Sequence, residues 1–121
     1  MMVGLLALLL FSTPGFADQG TKQQRMDAIW NAAHGRINQQ LDVWFDDGDF
    51  PPCQVLLTMQ ADLLPNDYEV VTNLGWMREN LQMWGDAEQA YLGYVKDNPK
   101  DPDRMLPVAQ FYFMRRQYDK V

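Results

Sequence analysis

NDYEVVTNLGWMRENLQMWGDAEQAYLGYVKDNPKDP, residues 66–102, sets how the rest of the chain is read. Val70, Val71, Leu74, Met77, Leu81 and Trp84 recur at three- and four-residue spacings, which places them on one apolar helix face. Asn66 with Glu69 three residues later has the form of a capping box opening that helix. Gly85 ends it and Asp86 caps a second helix, whose stripe is Ala87, Ala90, Tyr91, Tyr94 and Val95. Asn98-Pro99-Lys100-Asp101-Pro102 then carries two prolines, each lacking the N–H that a continuing helix needs. The expectation is two helices around a tight turn at Trp84-Gly85-Asp86.

Outward from this stretch the pattern persists. Upstream, Met26, Ile29, Trp30, Ala33, Ile37, Leu41, Trp44 and Phe45 form one stripe on a long amphipathic helix that Thr21 can cap. Gly35 is a point where that helix is expected to bend or split, since glycine costs up to about 1 kcal/mol relative to alanine there. Asp46-Asp47-Gly48 ends it. Asp49 starts the next helix with Pro51-Pro52 in its first turn, followed by Cys53, Leu56, Leu57, Met59, Gln60, Leu63 and Leu64, and Pro65 stops it. Downstream, Asp103 caps a fifth helix bearing Met105, Leu106, Val108, Ala109, Tyr112 and Phe113, with Pro107 delaying its start. No strand-like alternation of useful length occurs, so the class is all-α.

The segments repeat. Gly48, Asp49, Cys53, Leu57 and Pro65 each stand 37 residues before Gly85, Asp86, Ala90, Tyr94 and Pro102. Val71, Leu74 and Gly75 each stand 34 residues before Met105, Val108 and Ala109. Paired helices at such a period mark a helical solenoid, in which each pair buries its stripe against the next. Over roughly residues 34–121 the chain resembles the tetratricopeptide-repeat family. Leu74-Gly75, Gly85, Ala90, Tyr94 and Pro102 supply most of the family pattern in the middle copy, and Met105, Val108-Ala109, Tyr112, Tyr118 and Val121 supply it downstream. Arg78 stands where the family prefers an aromatic, and Arg116 where it has a turn glycine. The middle copy departs by three extra residues between Gly75 and Gly85, nearly one helical turn. The upstream copy fits best as a modified cap.

The resemblance implies antiparallel helix-turn-helix repeats stacked as a short right-handed α-solenoid. Residues 21–65 would be an N-terminal capping repeat, 66–102 the middle repeat, and 103–121 the start of a truncated third. Repeat packing would rest on Leu74, Gly75, Gly85, Ala90, Tyr94, Pro102, Val108, Ala109 and Tyr112. First helices of the family line a groove that holds peptides or partner helices. Carried over, that groove is Thr72, Trp76, Glu79 and Asn80 with Gln110, Phe113 and Met114.

Residues 1–17 are set apart. MMVGLLALLLF is a run of 11 apolar or small residues, broken by Ser12-Thr13-Pro14 and ending in Gly15-Phe16-Ala17. It is too short for the roughly 20 residues that a membrane span needs. It reads as a cleaved secretory signal, lacking only the usual leading Lys or Arg. The remaining domain, 18–121, is then exported, to the periplasm or the cell exterior. Cys53 is the single cysteine, so no internal disulfide can form. Residues 18–103 hold 15 acids against 6 Lys and Arg, and residues 104–121 hold four bases against Asp119. With a net charge of −6, nucleic acid is a poor partner, because phosphates require a positive face.

Catalytic chemistry finds little to stand on. His34, the only histidine, lies on or beside the apolar stripe of the first helix, where a packed or edge-exposed side chain is expected rather than a catalytic or metal-binding one. Cys53 occupies a small packing position and reads as a buried inert thiol. Asp42, Asp46, Asp47 and Asp49 do not make a Ca²⁺ loop, since Val43, Phe45 and Gln54 fall on ligand positions. No catalytic residue, cofactor or metal is expected. The leading expectation is a non-enzymatic exported scaffold for protein–protein or protein–peptide interaction, with self-association through an open C-terminal face as a further option. The alternative is a helical accessory region of a longer enzyme or secretion-complex subunit whose catalytic part lies beyond residue 121.

Overall fold

The computed structural model describes residues 20–117, 120 and 121, and the expected secretory signal lies outside them. The described residues are helical with no strand: α1 Lys22–Asp46, α2 Phe50–Leu63, α3 Tyr68–Asn80, α4 Trp84–Asp97 and α5 Leu106–Met114. None of these helices is long and apolar enough to cross a membrane. The described residues fall into two compact units, one up to residue 39 and one from residue 40.

In the first unit, α1 opens with a reciprocal cap. Thr21 Oγ1 accepts from the Gln24 N–H at 3.1 Å while Gln24 Oε1 accepts from the Thr21 N–H at 2.8 Å, so two N–H groups without helical partners are satisfied at once. Gly35 neither splits nor ends α1, which is one continuous helix. The His34 ring stacks on Trp30 at 5.5 Å between centroids, while Met26, Ile29 and Trp30 are exposed.

In the second unit, each helix packs on the next in the chain. Cys53 and Leu57 of α2 meet Leu74 and Met77 of α3, with Leu41, Trp44, Phe50, Ala61 and Leu81 closing around them. Ala87 and Tyr91 of α4 meet Val108, Phe111 and Tyr112 of α5, flanked by Val95. Burying each of the large apolar side chains contributes about 1.5–3 kcal/mol relative to exposure. Between the two clusters α3 packs on α4. Tyr91 lies against Gly75, and Tyr68 meets Tyr94 edge-on at 5.5 Å.

The backbone recurs at 34 residues. α1, α3 and α5 end at Asp46, Asn80 and Met114, and α2 and α4 begin at Phe50 and Trp84. Each first helix closes the same way. Gly48, Gln82 and Arg116 take left-handed φ values of 72°, 58° and 58°. Their N–H groups donate to Phe45, Glu79 and Phe113 carbonyls, and the next N–H groups, of Asp49, Met83 and Gln117, donate to Trp44, Arg78 and Tyr112 carbonyls at 2.8 Å each. This pair of bonds is the Schellman closure of a helix C-terminus.

The recurrence corrects the expected register. The turn lies at Leu81-Gln82-Met83, and Trp84-Gly85-Asp86 is the first turn of α4. Gly85 is exposed, and a Cβ added to it would meet nothing within 4 Å. There is no three-residue insertion: Cys53, Leu57 and Pro65 correspond to Ala87, Tyr91 and Pro99 rather than to Ala90, Tyr94 and Pro102. Ala87 is fully buried whereas Ala90 is half-buried and Pro102 is exposed. The cause is a non-glycine at a left-handed position. Glycine takes that backbone without steric cost, so matching glycines pulled the second helix out of phase. The error of three residues is nearly one helical turn, so the displaced stripe kept a similar chemistry. Two helix starts also move. Asp67, not Asn66, caps α3 by accepting from the Val70 N–H at 3.2 Å. α5 begins at Leu106, after a turn over 102–105, with Pro107 in its first turn.

Candidate docking surface

Trp76, Phe45 and Phe50 come together on the second unit. Phe45 belongs to the last turn of α1, which brings it next to the Gly48 turn and the first residue of α2, Phe50. Their ring centroids are 5.7 Å apart. α3 packs on α2 through Leu74 and Met77, so Trp76 between them points away from that core and reaches Phe45 at 5.6 Å. Both centroid separations lie in the range that aromatic pairs prefer. Phe45 and Trp76 are nevertheless 43% and 46% exposed. Phe45 was expected on the inner stripe of α1, and instead it carries the outer edge of this cluster.

The remaining groove candidates divide into two sets. On α3, Thr72 Oγ1 donates to the Glu69 carbonyl at 3.1 Å and Asn80 Nδ2 donates to the Trp76 carbonyl at 2.8 Å. Glu79 is engaged by the Tyr91 hydroxyl, which donates to Oε2 at 2.5 Å. On α5, Gln110, Phe113 and Met114 are exposed. α3 and α5 each pack on α4, and the ring contacts of Trp76 run to α1 rather than to α5. The sequence signal for Phe45 was weak, because an exposed and a buried aromatic on one helix differ only by where the neighbouring helix lies.

The expected packing residues fall as follows. Leu74, Tyr94, Val108 and Tyr112 are buried, Gly75 is buried against the Tyr91 ring, and Ala109 is half-buried. Ala87 and Tyr91 were missing from that set because of the register error. Trp84, expected on the inner face of α3, instead opens α4 with the Arg115 guanidinium over its ring.

The ionisable groups serve structure. Burial pushes the Cys53 thiol up, and the charge of Asp49 adds to it. Cys53 is therefore a thiol, with Sγ donating to the Asp49 carbonyl at 3.4 Å, and not a nucleophilic thiolate. Burial also raises Tyr91, and its hydrogen bond to Glu79 raises it further. The Tyr94 hydroxyl, held by Asp101, is pushed up to about 12. Among the described residues no group of three or more His, Cys, Asp or Glu side chains is placed to hold a metal ion.

Comparison with known proteins gives no match to a family model, to a curated protein or to a solved structure.

Proposed function

We propose that this chain is a tetratricopeptide-like repeat scaffold, a short right-handed α-solenoid, that is exported and acts by binding another protein or peptide rather than by catalysis. The observation that carries this reading is the 34-residue recurrence of helix ends, left-handed turn residues and Schellman bonds. In that register Val71, Leu74-Gly75, Ala87, Tyr91 and Pro99 follow the order of the family pattern. They supply a large apolar residue, a Leu–small pair, a small residue and an aromatic in the second helix, and an exit proline. The half-exposed pair Phe45 and Trp76 supports a binding role, since large rings left in water at an open helix face suit an interface hot spot. Export rests on the apolar leader over residues 1–17 alone.

A photo-cross-linking side chain placed at position 76 tests the binding reading in the cells that make the protein. The control position is Gln89, exposed on α4. A discrete adduct from position 76 and none from 89 is the expected result. No adduct at 76, or equal labelling at both, would overturn it.

A second reading, self-association through α5, is favoured by Leu106, Phe113 and Met114, which are 59%, 59% and 69% exposed on one short helix. Sedimentation that is unchanged by Met114→Lys at high protein concentration would set it aside.

A further inference from the structure

We propose that the Phe45–Phe50–Trp76 surface docks a basic polypeptide segment of a partner protein, one in which Arg or Lys alternates with apolar side chains. This rests on the binding reading above and names the chemistry of its partner. The first observation is that the fold itself does not require the Phe45 and Trp76 rings, whereas Phe50 also packs on the core. One period on, Phe45 and Trp76 are replaced by Glu79 and Gln110 at the same helical positions. The rings are thus additional to what holds the helices together, and the exposed area of Phe45 and Trp76 is unspent apolar surface.

The second observation is charge. Residues 37–77 contain seven carboxylates and no Lys, Arg or His. Asp42, Asp46, Asp47 and Asp49 are exposed on the helix end and turn that carry Phe45 and Phe50. Aromatic faces are the negative part of the ring quadrupole, so rings and carboxylates here select the same thing, a cation on an apolar stem. Arg meets both, because its planar guanidinium stacks on rings and forks to carboxylates. The molecule contains that pairing already. Trp84, the residue one period after Phe50, lies under the Arg115 guanidinium. An acidic peptide or a nucleic acid would face like charge on this surface.

Anisotropy titration of a labelled short peptide with alternating Arg and Leu tests the proposal, beside Glu–Leu and Ser–Leu peptides of equal length. Saturable binding of the Arg peptide alone is expected, weakening as ionic strength rises. Trp76→Ala and Phe45→Ala should each weaken it by about tenfold. Asp46→Asn with Asp47→Asn, both exposed, should weaken it while leaving the thermal melt in place. Arg-peptide binding unchanged in Trp76→Ala would mean diffuse charge attraction only, and the proposal would fail. Equal binding of the Ser–Leu peptide, lost in Trp76→Ala, would overturn the basic partner while leaving the docking surface standing. Concentration-dependent sedimentation that Asp46→Lys abolishes would assign the surface to a second copy and overturn the proposal.

Discussion

Gly75 on α3 faces the ring of Tyr91 on α4 with no room for a side chain. A Cβ built on Gly75 would lie 2.9 Å from Tyr91 Cδ1 and closer still to Cε1 and Cζ. The ring cannot easily retreat, because its hydroxyl is held by Glu79 and it also meets the Phe111 ring at 5.9 Å between centroids. Gly75→Ala should therefore destabilise the second unit by about 1–3 kcal/mol, the usual range for overpacking. Urea unfolding measures it, and an unchanged midpoint would show that α3 and α4 are further apart than described. Tyr91→Phe keeps the ring and removes the bond to Glu79. It should cost about 1.5–3 kcal/mol, the range for hydrogen bonds to a charged group.

Ala87 and Ala90 separate the two registers. Ala87 is fully buried between α4 and α5, and Ala90 is only half-buried. Ala87→Leu should destabilise by about 1–3 kcal/mol, and Ala90→Leu by clearly less. The reverse order in thermal melts would restore the 37-residue spacing and reject the 34-residue one.

Gln82 holds a left-handed φ of 58° that a side chain occupies at a cost of about 1 kcal/mol. Gln82→Gly should raise stability by less than that amount, because the added freedom of the unfolded chain offsets part of the relief. Gly48, at φ 72° one period earlier, gives the mirror experiment. Gly48→Ala should lower stability by about 1 kcal/mol even though a Cβ there would meet nothing within 4 Å. If neither substitution shifts the melt, the Schellman turns are not as described.

The Tyr94–Asp101 bond predicts a pH signature at both ends of the scale. Tyr94 rises from the ordinary 10.0 to about 12, chiefly because its hydroxyl donates to Asp101. A raised folded-state value gives stability that is fully present below pH 10 and is lost as pH climbs towards 12. Asp101 is lowered from 3.8 by the same bond, assisted by the Asp103 N–H. Its contribution is present above pH 3.8 and is lost as pH falls below it. Tyr94→Phe should flatten the stability profile in both windows. Some alkaline loss will remain through Tyr91, whose raised hydroxyl acts with the same sign. Denaturant melts across pH would refute this if the two proteins kept parallel profiles.

Much of the fold was legible because it is local. The stop at Gly48, the Asp49 start with prolines behind it, and the 3.6-residue stripes of α3 and α4 each depend on a few adjacent residues. The Gly85 turn was misplaced because glycine is only the cheapest left-handed residue, and Gln82 shows that another can stand where backbone hydrogen bonds close the helix. At Gly35 the expected split does not occur, since an unfavourable helix residue does not by itself interrupt a 25-residue helix.

The candidate surface was half legible. Trp76 stood out because it lay off the buried stripe beside Gly75, and helical periodicity is enough to show that. Phe45 did not, because it shares a stripe with Leu41 and Trp44, and those two are drawn into the core while Phe45 is left at its rim. By itself the sequence determined the all-helical class, the order of five helices and the acidic, base-free stretch over residues 37–77, since propensity, periodicity and charge are properties of neighbouring residues. The seat of Tyr91 on Gly75 and the meeting of Phe45 with Trp76 were decided only by tertiary structure. Each depends on how far one helix is displaced along another, and that is set by close packing between residues distant in the chain.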